Sequence, residues 1–107
     1  MPALRWLALA VLAAAAGGVG AADLGAGRVK AAACAVCHGP LGLSMLPNAP
    51  HLAGQPAIYL AEQLRGYRDG RRRHEVMNVI AKALTDRDID DLAAWYESLV
   101  IEVREPR

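Results

Sequence analysis

Phenylalanine is absent from this chain of 107 residues, and its aromatics are only two Trp and three Tyr. Charge of one sign is missing too: 12 Lys and Arg face 11 Asp and Glu. Such a balance offers no basic field for nucleic acid. Cysteine occurs only twice, which excludes a framework of several disulfides. A single bridge between two thiols this close in sequence would remove little unfolded-state entropy. Alternation of apolar and polar residues never persists beyond a few positions, so no convincing strand is expected. A long apolar run is lacking as well. The uninterrupted stretch is Trp6–Ala16, short of the roughly 17–25 residues that cross a bilayer as a helix.

What is present at the start has the order of a secretory signal. Arg5 precedes the apolar run, small residues 17–22 follow, and Asp23 comes next. Charged start, apolar middle and small-residue cut site are the marks of an exported precursor. Cleavage is expected near Ala22–Asp23. That leaves residues 23–107 as one domain in the periplasm, with no stable membrane insertion. Without Arg5 the 12 basic residues become 11, equal to the 11 acidic ones. A domain of this size buries only about 60% of its unfolded surface. Small domains commonly need a further staple, and a large apolar cofactor would fill a core so poor in rings.

Both cysteines lie in Ala32–Pro40, AACAVCHGP, with His38 directly after Cys37. Four chemistries could use Cys34, Cys37 and His38. A thioredoxin-like dithiol belongs beside a strand–helix–strand pattern, which is missing. A structural zinc site wants four ligands, usually in two pairs. His51 or His74 could supply a fourth, but His38 adjoins Cys37 too closely to share one tetrahedral ion comfortably. A cysteine nucleophile needs a positioned base, and nothing marks one. The spacing C-x-x-C-H fits covalent haem c. Two thiols on one helical turn reach the two vinyl groups of one haem edge, and the next residue brings an imidazole to the iron.

Three blocks carry a resemblance across nearly all of residues 23–107. They are AGRVKAAACAVCHGPLG, PHLAGQPAIYLAEQLRGYRDGRRR and MNVIAKALTDRDIDDLAAWYESL. In that order they resemble a small class I cytochrome c of the bacterial c4 and c553 kind. The resemblance implies an all-α class I fold, with three main helices and loops wrapped around one covalently attached haem. It also implies that Gly27 lets the last helix cross the first closely, that Trp95 meets the first helix, and that the Pro50 carbonyl accepts the Nδ1 proton of His38. Tyr59 and Tyr67 match its aromatic positions, where haem-pocket lining and plain core packing are both open.

Along the chain a first helix is expected over about 25–37, where Ala31, Ala32, Ala33 and Ala35 are strong helix formers. Residues 39–55 are rich in Gly, Pro and Asn, which is loop chemistry. This loop also carries Leu41, Leu43, Met45, Leu46 and Leu52, and so should lie against an apolar surface. A second helix fits Pro56 to Asp69, started by proline and stopped by Gly70, with Ile58, Leu60, Ala61, Leu64 and Tyr67 inward. In the last helix Thr85 serves as N-cap, and Asp86, Asp88, Asp90 and Asp91 load the positive end. Ile89, Leu92, Ala93, Tyr96, Leu99 and Val100 form its apolar stripe.

A sixth iron ligand must come from downstream. Candidates are Met77, Met45 and the histidines, His74 foremost. Met77 stands seven residues before Leu84, the place the resemblance gives to a ligating methionine. Met45 follows His38 too closely to fold back easily. His51 is expected to be a plain loop residue. Imidazole with a thioether favours ferrous iron and raises the potential. The expected role is a one-electron carrier between redox proteins, not an enzyme. The alternative is the haem subunit of a larger dehydrogenase, and an open-iron peroxidase or sensor is a third class. The segment with Arg65, Arg68, Arg71, Arg72 and Arg73 could steer an acidic partner or pair with propionates. It could equally be a solvated helix end.

Overall fold

A computed structural model of the chain describes residues 21–107, together with 2, 3 and 10. The expected export segment therefore lies mostly outside the described residues. Among the described residues there are five α-helices and no strand. None of these helices is long and apolar enough to cross a membrane.

The first helical region starts where a cap is available. Asp23 Oδ1 accepts the Ala26 N–H at 3.0 Å, and helix α1 runs Leu24–Lys30. The expected single helix to Cys37 is broken in two. Ala31–Ala33 tightens into a 3₁₀ turn, with Cys34 N–H on the Ala31 carbonyl at 2.9 Å. Helix α2 then covers only Ala35–His38. Alanine propensity is satisfied by either winding; packing decides, since Ala31 is buried while Ala32 and Ala33 face solvent.

Helix α3 spans Ala57–Asp69, with Pro56 at its N-cap and Gly70 closing it in the left-handed conformation. Proline leaves the first turn uncapped by a side chain of its own, and the Glu97 carboxylate accepts the Ala57 N–H instead. The short helix α4, Met77–Lys82, packs against α3. No helix is expected from sequence over these residues, which stand out there only for Met77.

Helix α5, Asp86–Ser98, opens with a full capping box. Thr85 Oγ1 accepts from Asp88 N–H at 3.1 Å, and Asp88 Oδ2 from Thr85 N–H at 2.9 Å. It packs on both α1 and α3. Ile89, Leu92, Ala93 and Tyr96 form the middle of the core with Ala31, Leu60 and Ala61. Two expectations fail at stripe ends. Val100 is 95% exposed, because the helix stops at Ser98 and Leu99 is already extended. Ile58 is 84% exposed, on the side of α3 that faces away from the core.

The crossing of α1 and α5 is close. A Cβ on Gly27 would lie 2.1 Å from the Asp91 carbonyl oxygen and 2.8 Å from Trp95 Cβ. Only a residue without a side chain permits this approach. Asp91, one of the aspartates assigned from sequence to the positive end of α5, is instead buried in that crossing, 1% exposed.

Candidate functional site

Helix α2 carries Cys37 and His38, with Cys34 as its N-cap. His38 N–H bonds the Cys34 carbonyl at 2.9 Å, so thiols and imidazole share one turn. The two thiols differ in surroundings. Cys34 is half-buried against the core, and Cys37 is exposed. Burial pushes the Cys34 thiol up, and a hydrogen bond with the Tyr96 phenol partly opposes it. Tyr96 is itself raised above the ordinary phenol range, first by burial and then by Cys34.

Gly39 ends α2 with φ +84°, and a Cβ there would sit 2.0 Å from the Leu43 carbonyl oxygen. The chain thereby turns at once into the 39–56 loop. That loop is stitched to the rest through backbone bonds. Leu52 and Ala53 N–H donate to the Gly42 carbonyl at 2.7 and 3.1 Å, and Gly54 N–H donates to the Tyr96 carbonyl at 2.8 Å. Ser44 Oγ donates to the Cys37 carbonyl at 2.9 Å.

The loop brings the Pro50 carbonyl to 2.9 Å from His38 Nδ1. A carbonyl only accepts, so Nδ1 carries the proton and Nε2 keeps its lone pair. The chain has three histidines, and the other two are arranged in the opposite sense. His51 Nδ1 accepts the Ser44 N–H at 2.8 Å. His74 Nδ1 accepts the N–H of Val76 and of Met77, both at 3.2 Å. A neutral imidazole accepting at Nδ1 has its proton on Nε2 and no ring lone pair left for a metal.

Met77 begins α4 and is half-buried, whereas Met45 is 95% exposed. The Met77 turn is fixed by groups that sequence reasoning did not single out. Asn78 Nδ2 donates to the carbonyls of Tyr67 and Arg72, both at 2.8 Å, and its Oδ1 accepts the His74 N–H at 2.7 Å. Asn78, Ser44 and Tyr96 carry no motif. Their roles arise from partners distant in sequence or from main-chain atoms.

Whether haem suits these residues is tested by two features. The donor set is right: two thiols, an imidazole with a free Nε2, and a soft thioether. Large apolar side chains are also left uncovered by protein at Leu41, Leu43, Leu46, Tyr59, Val79 and Ile80, each 43% exposed or more. These belong to the 39–56 loop, α3 and α4, and a flat apolar group would cover such side chains. Of the loop leucines, expected to lie against an apolar surface, Leu52 packs on the core, and the others leave their faces to such a group. Tyr59 is half-exposed rather than core, and Tyr67 stacks under Arg72, 4.7 Å from guanidinium carbon to ring centroid. Two surface grooves among the described residues, about 390 Å³ between α3 and α5 and about 320 Å³ beside Gly70, include none of Cys34, Cys37, His38 or Met77.

The arginine-rich segment is largely compensated inside the chain. Arg65 pairs with Asp90 at 2.8 Å and Arg68 with Asp86 at 2.7 Å, while Arg71 meets Glu62 and Asp69, each at 3.3 Å. Arg72 Nη1 donates to Gln63 Oε1 at 2.6 Å. Steering of an acidic partner by this segment is accordingly weakened.

Residues 22–99 match the family model described as cytochrome c. The chain is 42% identical over 81 residues to cytochrome c-554(548) of Halomonas halodenitrificans, covering 73% of this chain and 98% of that protein. It is 42% identical over 83 residues to cytochrome c4 of Pseudomonas aeruginosa, covering 78% of this chain but 41% of that protein. A crystal structure of reduced cytochrome c4 from Pseudomonas stutzeri superposes with a TM-score of 0.70 at 37% identity, over 75% of this chain and 47% of the crystallised one. The chain thus spans less than half the length of these two c4 proteins.

Proposed function

The chain belongs to the cytochrome c family, with covalently attached haem c as its cofactor, and from that premise we propose that it is a periplasmic one-electron carrier. Cys34 and Cys37 would hold the haem through thioethers, His38 would bind the iron through Nε2, and Met77 would offer its thioether sulfur as a further iron ligand. The observation that carries this reading is the His38 Nδ1 contact with the Pro50 carbonyl at 2.9 Å. It leaves His38 the one histidine of the three with an available ring lone pair.

The bound haem supplies a one-electron iron couple. The chain's residues set the conditions for it. The Pro50 carbonyl holds the proton at Nδ1, which orients the ring and raises its basicity. The Met77 main chain is held by His74 within the turn that Asn78 fixes, and its thioether sulfur would be a soft ligand that favours the ferrous state. Two protein ligands keep water and small molecules off the metal, so the chain relays electrons and is not an enzyme. Leu41, Leu43, Leu46, Val79 and Ile80 supply apolar surface that excludes water. Balanced charge and the internally paired arginines leave no field for nucleic acid, and the partners are redox proteins. The signal-like start supports a periplasmic location.

The test is a haem-stained denaturing gel of periplasmic protein, followed by a redox titration. Colour is expected to stay with the polypeptide after denaturation and to vanish in Cys34→Ala/Cys37→Ala. Colourless protein from cells able to mature c-type haem would overturn the proposal. Size-exclusion of the native extract separates a free carrier, eluting near the monomer mass, from a haem subunit held by a larger dehydrogenase.

A further inference from the structure

The crossing of α1 and α5 gathers charges around one buried carboxylate, that of Asp91. Asp91, almost wholly buried, is met by Lys30 Nζ at 2.7 Å and by Arg87 Nε at 3.2 Å. Lys30 also pairs with Asp88 at 3.0 Å. The remaining bond to Asp91 comes from the main chain: the Asp23 N–H donates to Asp91 Oδ1 at 2.9 Å. The Asp23 carboxylate is exposed and turned to another task, accepting the Ala26 N–H at the start of α1. Arg28, on the same helix, lies over the Trp95 ring, 5.7 Å from its centroid. Asp91, 1% exposed, thus sits against two cations and one uncharged main-chain donor.

We infer that cleavage between Ala22 and Asp23 completes this cluster, with the new Asp23 ammonium as its third cation and Asp91 as its receptor. The inference rests on the export reading above and extends it to one bond. Hydrolysis breaks the bond from the Ala22 carbonyl carbon to the Asp23 nitrogen. Water supplies an oxygen to Ala22, which leaves as a carboxylate, and protons to the nitrogen, which becomes an ammonium. The nitrogen that donates to Asp91 as an amide then donates as a cation. A third positive group then meets Asp91 beside Lys30 and Arg87. A cut one residue earlier leaves that nitrogen an uncharged amide. Arg87 Nη2 also donates to the Ala21 carbonyl at 2.9 Å. That bond departs with the leader, while the Arg87 contact to Asp91 remains. Processing thereby turns the end of α1 into an ion pair that ties residue 23 to α5, 68 positions away in sequence.

The experiment uses holoprotein purified from the periplasm. Its intact mass should correspond to residues 23–107 plus one haem. A chain beginning at Ala22 or Ala21 overturns the inference but not the export reading, and a chain still beginning at Met1 overturns both. The folded holoprotein is then treated with an acetylating succinimidyl ester near neutral pH, and labelling of the Asp23 amine is followed by peptide mapping. The amine should react about tenfold more slowly than in the same protein unfolded in urea, since one pKa unit of protection lowers the reactive neutral amine about tenfold. In Asp91→Asn the rate should return towards the unfolded value, and in Asp91→Glu the protection should persist. Should Asp91→Asn not accumulate, Lys30→Gln makes the same distinction. Removing a competing cation should slow labelling further, whereas plain burial of the amine predicts no change. Equal rates in folded and unfolded protein, or protection unaltered by these variants, would refute the inference.

Discussion

Gly27→Ala tests the geometry on which the α1–α5 packing depends. The added methyl carbon would stand 2.1 Å from the Asp91 carbonyl oxygen, 2.8 Å from its carbon and 2.8 Å from Trp95 Cβ. Two of these atoms are main chain of a packed helix, so no rotamer change relieves the contact. Ordinary carbon–oxygen contact lies near 3.3 Å, and the helices must part by roughly 1 Å. Overpacking of this kind costs typically 1–3 kcal/mol, and separation also strains the Lys30–Asp91 pair, so the upper end applies. Alanine in place of glycine within a helix returns about 0.5–1 kcal/mol. The net loss is about 2 kcal/mol. At about 4–8 °C per kcal/mol for a domain of this size, Tm should fall by roughly 8–16 °C. The assay is thermal unfolding by far-UV circular dichroism on holoproteins of matched haem content. Gly66→Ala is the control. Its Cβ would meet nothing nearer than Arg72 Cβ at 3.5 Å, so it should stabilise by up to about 1 kcal/mol. A Gly27→Ala protein as stable as wild type would refute the close crossing.

Leu92→Ala removes a side chain only 2% exposed and should cost about 2–5 kcal/mol, read from the denaturant midpoint at constant m. Met77→Ala should lower the reduction potential by on the order of 100 mV, within the roughly 0.8 V that axial ligands command; an unchanged titration would move the ligand role elsewhere. Stability should also fall in acid. Asp91 is held below its usual 3.8 chiefly by the hydrogen bond from Lys30, Asp88 by the Thr85 N–H, and Asp86 by Arg68. A carboxyl with a depressed folded pKa stabilises above its unfolded value and loses that contribution as pH falls through the folded one. Tm should therefore be steady down to about pH 4 and decline below it, and a flat profile to pH 2.5 would contradict these pairs.

The last helix was legible because its information is local. Thr85, Asp88 and the stripe from Ile89 to Tyr96 lie within a dozen residues, and capping and periodicity both point the same way. The turn that gathers Cys34, Cys37 and His38 was legible for the same reason, since the three lie within five residues of one another. Helix α4 was missed because nothing local builds it. It has six residues, no side-chain cap, and is held by packing on α3 and by the Asn78 bonds. The break after Lys30 was invisible for a related reason, as an alanine run is equally content in a 3₁₀ turn. Asp91 was misread because three other aspartates precede it at a helix start, where solvent exposure is the rule. Its burial depends on Lys30 and Asp23, which α1 delivers from far up the chain. Val100 shows the converse error, a stripe extended past the last helical residue.

The partner of the His38 ring proton is a main-chain oxygen, and under the proposed ligation this decides which mutations can reach the iron. Replacing the side chain at position 50 leaves a carbonyl in place, so a change of residue type there need not disturb the imidazole. Lengthening or shortening residues 39–56 moves that carbonyl whatever the residues are. Retuning of the potential through this bond is therefore open to insertions and deletions, and largely closed to point substitution.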